Sequence, residues 1–193
     1  MARPRKFDET RVLDAAMDVF WRHGYEGTST RDLTERTGVG PSSLYGAFGD
    51  KRALYLRALR TYYESATREQ VALLERPGPA RDRVRELMTH AIDMDLAGEG
   101  GRTGCFAINA AVEMAGSAPE VRAEVDRQFS TVEAALRETI ARGQRAGEFT
   151  ADGDPATLAR QILSTYYGLR VLARVRSDRQ ALLDVVESAL AAL

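Results

Sequence analysis

From Val12 onward, apolar side chains recur at Ala15, Ala16, Val19 and Phe20, while Arg11, Asp14, Asp18 and Arg22 fall between them. That i, i+3, i+4, i+7, i+8 spacing lays one apolar stripe along a helix of 3.6 residues per turn. Gly24 ends it, because glycine takes up positive φ without a Cβ penalty. Ser29, with Asp32 three residues on, is a variant capping box that opens a short helix to about Thr37. Gly38-Val39-Gly40 breaks that helix, and Pro41 suits the first turn of the next, where its missing N–H would have had no partner. This third helix runs to about Phe48. Gly49-Asp50 closes it and caps a fourth from Lys51, carrying Leu54, Leu56, Ala58, Leu59, Tyr62, Tyr63 and Ala66 toward Leu74 until Arg76-Pro77-Gly78-Pro79 interrupts.

The remainder keeps the helical period. Val84, Leu87, Met88, Ala91 and Ile92 form a stripe before a loop from Gly98 to Gly104, and a short apolar helix follows from Cys105 to Ala115. Ser117 is the expected cap of a long helix with Val121, Val125, Gln128, Val132, Leu136 and Ile140, ending around Gly143 to Gly147. Asp154-Pro155 opens a helix with Leu158, Ile162, Tyr166 and Leu169, and Asp178 caps a last one with Leu182, Val185, Val186, Ala189 and Leu190. No alternating strand pattern competes. The fold class is therefore all-α: an N-terminal three-helix domain at 1–52 and a larger helical domain at 53–193, with the boundary inside the fourth helix.

Composition narrows the function. With 44% hydrophobic and 28% charged residues the chain has ordinary globular usage. No apolar run approaches the roughly 18 residues of a membrane span, and the first residues lead into charge, so a cytoplasmic location without membrane contact is expected. Cys105 stands alone, which excludes an intrachain disulfide and a zinc site built from cysteines. Lys+Arg 27 against Asp+Glu 28 argues against a surface coated in basic patches. A local basic surface can still come from Arg3, Arg5 and Lys6 together with Lys51, Arg52, Arg57 and Arg60. His23 and His90 are the only histidines and fit no metal or nucleophile spacing, there is no Gly-rich phosphate loop, and Glu113 and Asp95 belong to no catalytic pattern. Neither enzymatic activity nor a metal or cofactor is expected.

Two short helices joined by Gly38-Val39-Gly40 and backed by an amphipathic helix meet the requirements of a helix-turn-helix. The run from Gly27 to Lys51, GTSTRDLTERTGVGPSSLYGAFGDK, resembles the DNA-binding signature of TetR-type regulators, and the similarity extends over residues 8 to about 60. The resemblance implies a phosphate-binding hydroxyl at Thr30 and a base-reading arginine at Arg31, a residue type that can pair bidentately with guanine O6 and N7. It implies base-edge positions at Pro41, Ser42 and Ser43, and phosphate contacts from Tyr45 and Lys51. Tyr45 also reads as a packing residue, and Lys51 as a solvated helix start. Leu33, Val39, Leu44 and Phe48 would form the core behind the reading surface. Gly46 and Ala47 depart from the commoner aromatic or histidine, which removes backbone contacts there.

A head this small covers about one half-site, and paired half-sites near 34 Å apart need two heads rigidly joined. The resemblance implies a homodimer on double-stranded operator DNA. Leu163, Tyr167, Leu172, Leu182, Val186 and Leu190 on the last two helices are candidates for a four-helix interface, or for the chain's own core. It further implies an unknown small-molecule effector bound behind the head. Candidate lining residues are Tyr63, Met88, Met94, Cys105, Phe106, Asn109, Met114 and Tyr166, which equally read as ordinary core. Cys105 near a helix start can be an oxidant or electrophile sensor, or an inert buried thiol. The resulting expectation is a repressor; the competing class is a helical interaction module without sequence-specific DNA binding.

Overall fold

The computed structural model describes residues 7–97 and 103–193; within them every regular element is helical. The head consists of α1 (Glu9–His23), α2 (Thr30–Thr37), α3 (Pro41–Phe48) and the start of α4 (Lys51–Glu75). Behind it lie α5 (Ala80–Ala97), α6 (Phe106–Met114), α7 (Pro119–Arg145), α8 (Pro155–Ala173) and α9 (Arg179–Ala191). No helix among these residues is long and apolar enough to cross a membrane. The Arg3 to Lys6 arm lies outside the described residues, as does most of the Gly98 to Gly104 loop.

Local chemistry sets the ends of these helices. Asp8, Asp50, Asp154 and Asp178 each accept a backbone N–H of the first turn that follows. Ser29 and Asp32 form a full capping box. Ser117 does not cap α7: its hydroxyl points back to the Met114 carbonyl at 3.4 Å, and Ala118 is the N-cap because Pro119 takes the first helical position.

Buried apolar side chains gather in two clusters. One unites α1, α2, α3 and the first half of α4 with α6 and the start of α7, through Phe20, Tyr55, Tyr62 and Phe106. The other joins the end of α4 to α5, α7, α8 and α9, through Leu87, Leu136, Ile162 and Val186. Helix α4 belongs to both.

Two expectations are corrected. Leu163, Leu182, Val186 and Leu190 fill the chain's own core, because α9 lies against α5 with that face turned inward. The exposed apolar residues of the last two helices and their connection are Val171, Leu172, Val175 and Val185, with Val175 78% exposed. Arg52, Arg57 and Arg60 do not extend a free basic surface from Lys51; they pair with Glu120, Glu9 and Glu124. Two of these three pairs tie α4 to α7, so this positive charge serves internal attachment.

Candidate nucleic-acid interface

The small core of the head is made by Leu33, Val39, Leu44 and Phe48, all buried. Truncating a buried leucine such as Leu33 or Leu44 costs about 2–5 kcal/mol. This core fixes α2 and α3 relative to α1, and the left-handed Gly38 (φ 70°) makes the tight turn after α2 possible. What remains outside is polar. Thr30 opens α2, and its hydroxyl shares a 2.9 Å hydrogen bond with the Tyr45 hydroxyl on α3. Tyr45 is half-buried and locked to the neighbouring helix, so it is both a packing residue and a presented hydroxyl.

Pro41, Ser42 and Ser43 are exposed on the first turn of α3. Helix α3 differs from the other head helices in having no side-chain cap: Gly40 is its N-cap and offers none. An uncapped first turn keeps backbone donors and the positive end of the helix dipole open to an anion, and phosphate is the anion such a terminus favours. Arg31 is 84% exposed and held only by an i, i+4 pair with Glu35 at 2.7 Å. An exposed pair of this kind is worth about 0–1 kcal/mol, so it restrains the guanidinium little.

Lys51 sits at the first position of α4 with its ammonium 4.4 Å from the centre of the Tyr25 ring. Tyr25 itself packs edge-on to Tyr55 at 5.2 Å. Burial, together with the nearby Glu26 carboxylate, pushes the Tyr25 phenol above its usual range, so it stays neutral and its ring face attracts the cation. Tyr25 was not legible as a functional position, because nothing in the residues around it marks its ring as the seat for a lysine on another helix.

The head is fastened to the body at two further points. Glu113, at the end of α6, accepts the backbone N–H groups of Tyr25 at 2.9 Å and Glu26 at 2.8 Å. Trp21 donates its indole N–H to the Gly104 carbonyl at 2.8 Å and packs on Tyr62 and Phe106. Helix α6 therefore grips the turn after α1. Asp95 is also accounted for, as the buried partner of Arg170.

Among the described residues, the proposed effector residues fall in different places. Met88 is core of the second cluster, whereas Phe106 and Met114 belong to the first. Met94 is 57% exposed and lies with Tyr166 on a cavity of about 250 Å³ that also reaches Trp21, Tyr62, Gln70 and Arg170. Asn109 is occupied by the Thr103 carbonyl and by Arg174. Cys105 is buried, with the Tyr62 hydroxyl 3.6 Å from its sulfur. Tyr63 faces a different cavity, of about 310 Å³, between α4 and α7.

A three-helix reading head on an all-helical body defines the class: a DNA-binding transcriptional regulator. Residues 12–58 match the model of bacterial regulatory proteins of the tetR family, and residues 80–189 match that of the tetracyclin repressor-like C-terminal domain. The chain belongs to the TetR family. It is similar to the uncharacterized HTH-type transcriptional regulator YezE of Bacillus subtilis (strain 168), with 32% identity over 194 residues covering 100% of both chains. The HTH-type transcriptional repressor ComR of Escherichia coli (strain K12) is 26% identical, over 97% of this chain and 90% of ComR. Among solved structures, a cysteine mutant of the TetR family regulator CifR in complex with 26-bp double-strand operator DNA aligns with a TM-score of 0.86 and 36% identity, covering 99% of each chain.

Proposed function

We propose that this regulator is a homodimeric repressor whose residues 1–52 act as the reading unit on a palindromic operator and whose residues 53–193 sense a signal and dimerise. The observation that carries the reading is the exposed face formed by the Thr30–Tyr45 hydroxyl pair, Arg31 and the uncapped first turn of α3. In this reading Arg31 leaves Glu35 for a guanine edge, while Pro41, Ser42 and Ser43 allow α3 close approach in the major groove. Thr30, Tyr45 and Lys51 hold phosphate, which fixes register without reading sequence. Val171, Leu172, Val175 and Val185 supply the apolar surface through which two copies join, and operator binding in the similar CifR and repression by the similar ComR support the assignment.

Release requires a signal that favours a geometry in which the two heads no longer match their half-sites. A small molecule bound against α4 does this directly, since α4 belongs to both cores. Modification of Cys105 does it through α6: the thiol lies at the N-cap of α6, one residue after the carbonyl held by Trp21. Both routes act inside the cytoplasm on a protein to which no catalytic role is assigned.

Selection of bound sequences from a random DNA pool with the purified protein tests the reading. A twofold-symmetric site with half-sites about one helical turn apart is expected. Recovery of no preferred sequence, alongside capture of a protein partner, would replace the repressor with an interaction module. For the thiol route, Cys105→Ser is expected to abolish oxidant-induced release, and unchanged release ends that route.

A further inference from the structure

We propose that the cavity between α4 and α7 binds a small hydroxylated carboxylic acid, with its hydroxyl directed to Gln128, Tyr63 and Thr67 and its carboxylate to the arginines at the mouth. The proposal deepens the signal-release reading and rests on α4 being the helix that carries effector binding to the head. The cavity has a volume of about 310 Å³. That is enough for a compact ligand of a single ring with two substituents, and near the lower end of sizes for small-molecule sites.

The inner wall is a set of polar groups without partners. Gln128 is 2% exposed, and both its amide nitrogen and its amide oxygen lack a hydrogen-bond partner. The Tyr63 hydroxyl and Thr67 hydroxyl are buried and equally unpartnered. Buried polar groups are almost always hydrogen-bonded, so several orphans on residues that line a single cavity point to a guest that supplies the missing bonds once these side chains turn into it. The groups are ordered by the helices that bear them: Tyr63 and Thr67 lie one turn apart on α4, and Glu124 and Gln128 lie one turn apart on α7. Burial raises the Tyr63 phenol well above its usual range, so its hydroxyl stays protonated and available as a donor. An amide offers both a donor and an acceptor, and a ligand hydroxyl answers both.

The mouth selects charge. Arg60 and Arg127 both donate to the buried Glu124 carboxylate, at 2.6 and 2.7 Å, so one carboxylate is shared by two guanidiniums. Arg68 lines the same opening and forms no ion pair among the described residues. Arg60, Arg68 and Arg127 against Glu64 and Glu124 leave one excess positive charge, 3 − 2 = +1, around the opening. A carboxylate fits this geometry better than a neutral group or a cation. The neighbouring cavity beside Tyr166 has a single orphan of this kind, the Gln70 amide oxygen, and its arginine, Arg170, is already held by Asp95. A ligand seated here would stand between the helices that Arg60 and Glu124 join, and so bear on the helix that carries the head.

Calorimetry on the full-length protein without DNA, titrated with 4-hydroxybenzoate, benzoate and 4-hydroxybenzyl alcohol, tests the proposal. Saturable binding of 4-hydroxybenzoate is expected, with each control at least tenfold weaker. Gln128→Leu is expected to weaken 4-hydroxybenzoate at least tenfold, to the level of benzoate, and Arg68→Ala to erase its advantage over the alcohol. Because leucine removes orphaned polar atoms, the unliganded Gln128→Leu protein should melt about 2–4 °C higher. Thr67→Val, which changes one atom, repeats the test if Gln128→Leu folds poorly. No binding at millimolar ligand, binding indifferent to Gln128 and Thr67, or a lowered melting temperature in Gln128→Leu would each show that water or protein already satisfies the wall, and would overturn the proposal. Operator binding is measured separately, so loss of the repressor reading leaves this result interpretable, and the reverse holds too.

Discussion

Replacing Asp95 by asparagine should be among the most damaging isosteric changes in the molecule. Asp95 on α5 accepts two parallel hydrogen bonds from Arg170 on α8, both at 2.8 Å, and the two side chains are 4% and 9% exposed. Burial by itself would lower the Arg170 pKa, but the bond to Asp95, together with the neighbouring Cys105, Tyr166 and Tyr62, outweighs it and the guanidinium is held charged, above its ordinary value. Asp95→Asn keeps the shape and deletes the compensating charge, leaving a buried cation alone. Breaking one side of a buried pair costs about 3–5 kcal/mol. That is a large share of the roughly 5–15 kcal/mol by which a domain is stable. For a chain of this size, at about 2–4 °C per kcal/mol, the melting temperature should fall by roughly 6–20 °C. The double variant Asp95→Leu/Arg170→Met removes both charges and should lose far less, because neither is left without its partner. Urea and thermal denaturation at one fixed protein concentration measure both. A loss under about 1 kcal/mol in Asp95→Asn, or a double variant as unstable as the single, would refute the reasoning.

Further expectations follow from the head and its attachment. Gly24 has φ 75° and ψ 178°, and a Cβ there would lie 2.7 Å from a Glu113 carboxylate oxygen, so Gly24→Ala should cost about 1–3 kcal/mol and detach Glu113 from the Tyr25 and Glu26 N–H groups. Faster amide exchange at those two positions would show it. Lys51→Ala should weaken binding about equally on all DNA sequences and lower the slope of log affinity against log salt by about 1; an unchanged slope removes Lys51 from the phosphate contacts. Burial pushes the Asp18 pKa up, but hydrogen bonds and charge from Arg22 and Arg36 outweigh it and bring the carboxyl below its ordinary 3.8. The folded pKa being depressed, this contribution is whole above the unfolded value and is lost as pH falls through the folded one, in the window below about pH 4. The difference in melting temperature between the natural protein and Asp18→Asn should therefore shrink on acidification from pH 5 to 2, and a constant difference would contradict it.

What the sequence made legible was local. Ser29 with Asp32, Asp50, Asp154 and Asp178 are caps that act on their own first turns, and the structure has helices starting at each. Ser117 failed by the same logic read incompletely: Pro119 two residues on is the stronger marker, and it moves the cap to Ala118. Long-range pairing was not legible. Arg52, Arg57 and Arg60 have the composition of a basic patch, and only the fold shows each beside a carboxylate. Gln128 falls on the apolar stripe of α7; its position is buried, but it lines a cavity that exists only once α4 lies alongside. Leu182, Val186 and Leu190 were ambiguous because one apolar face on α9 serves a dimer or a core equally well, and the packing of α5 decides it. Met94 and Met114 share a residue type and nothing else, which is why side-chain character alone could not assemble an effector chamber.

The central claim is that the Thr30 to Lys51 segment places Arg31 and the start of α3 in the major groove. Methylation interference on a selected site tests this most directly, since a methyl on guanine N7 blocks an arginine from that edge. Interference is expected at guanines placed symmetrically in the two half-sites, and in Arg31→Ala one of these signals per half-site should vanish while the remaining footprint is kept. Binding indifferent to guanine methylation, or a pattern unchanged by the loss of Arg31, would contradict the account.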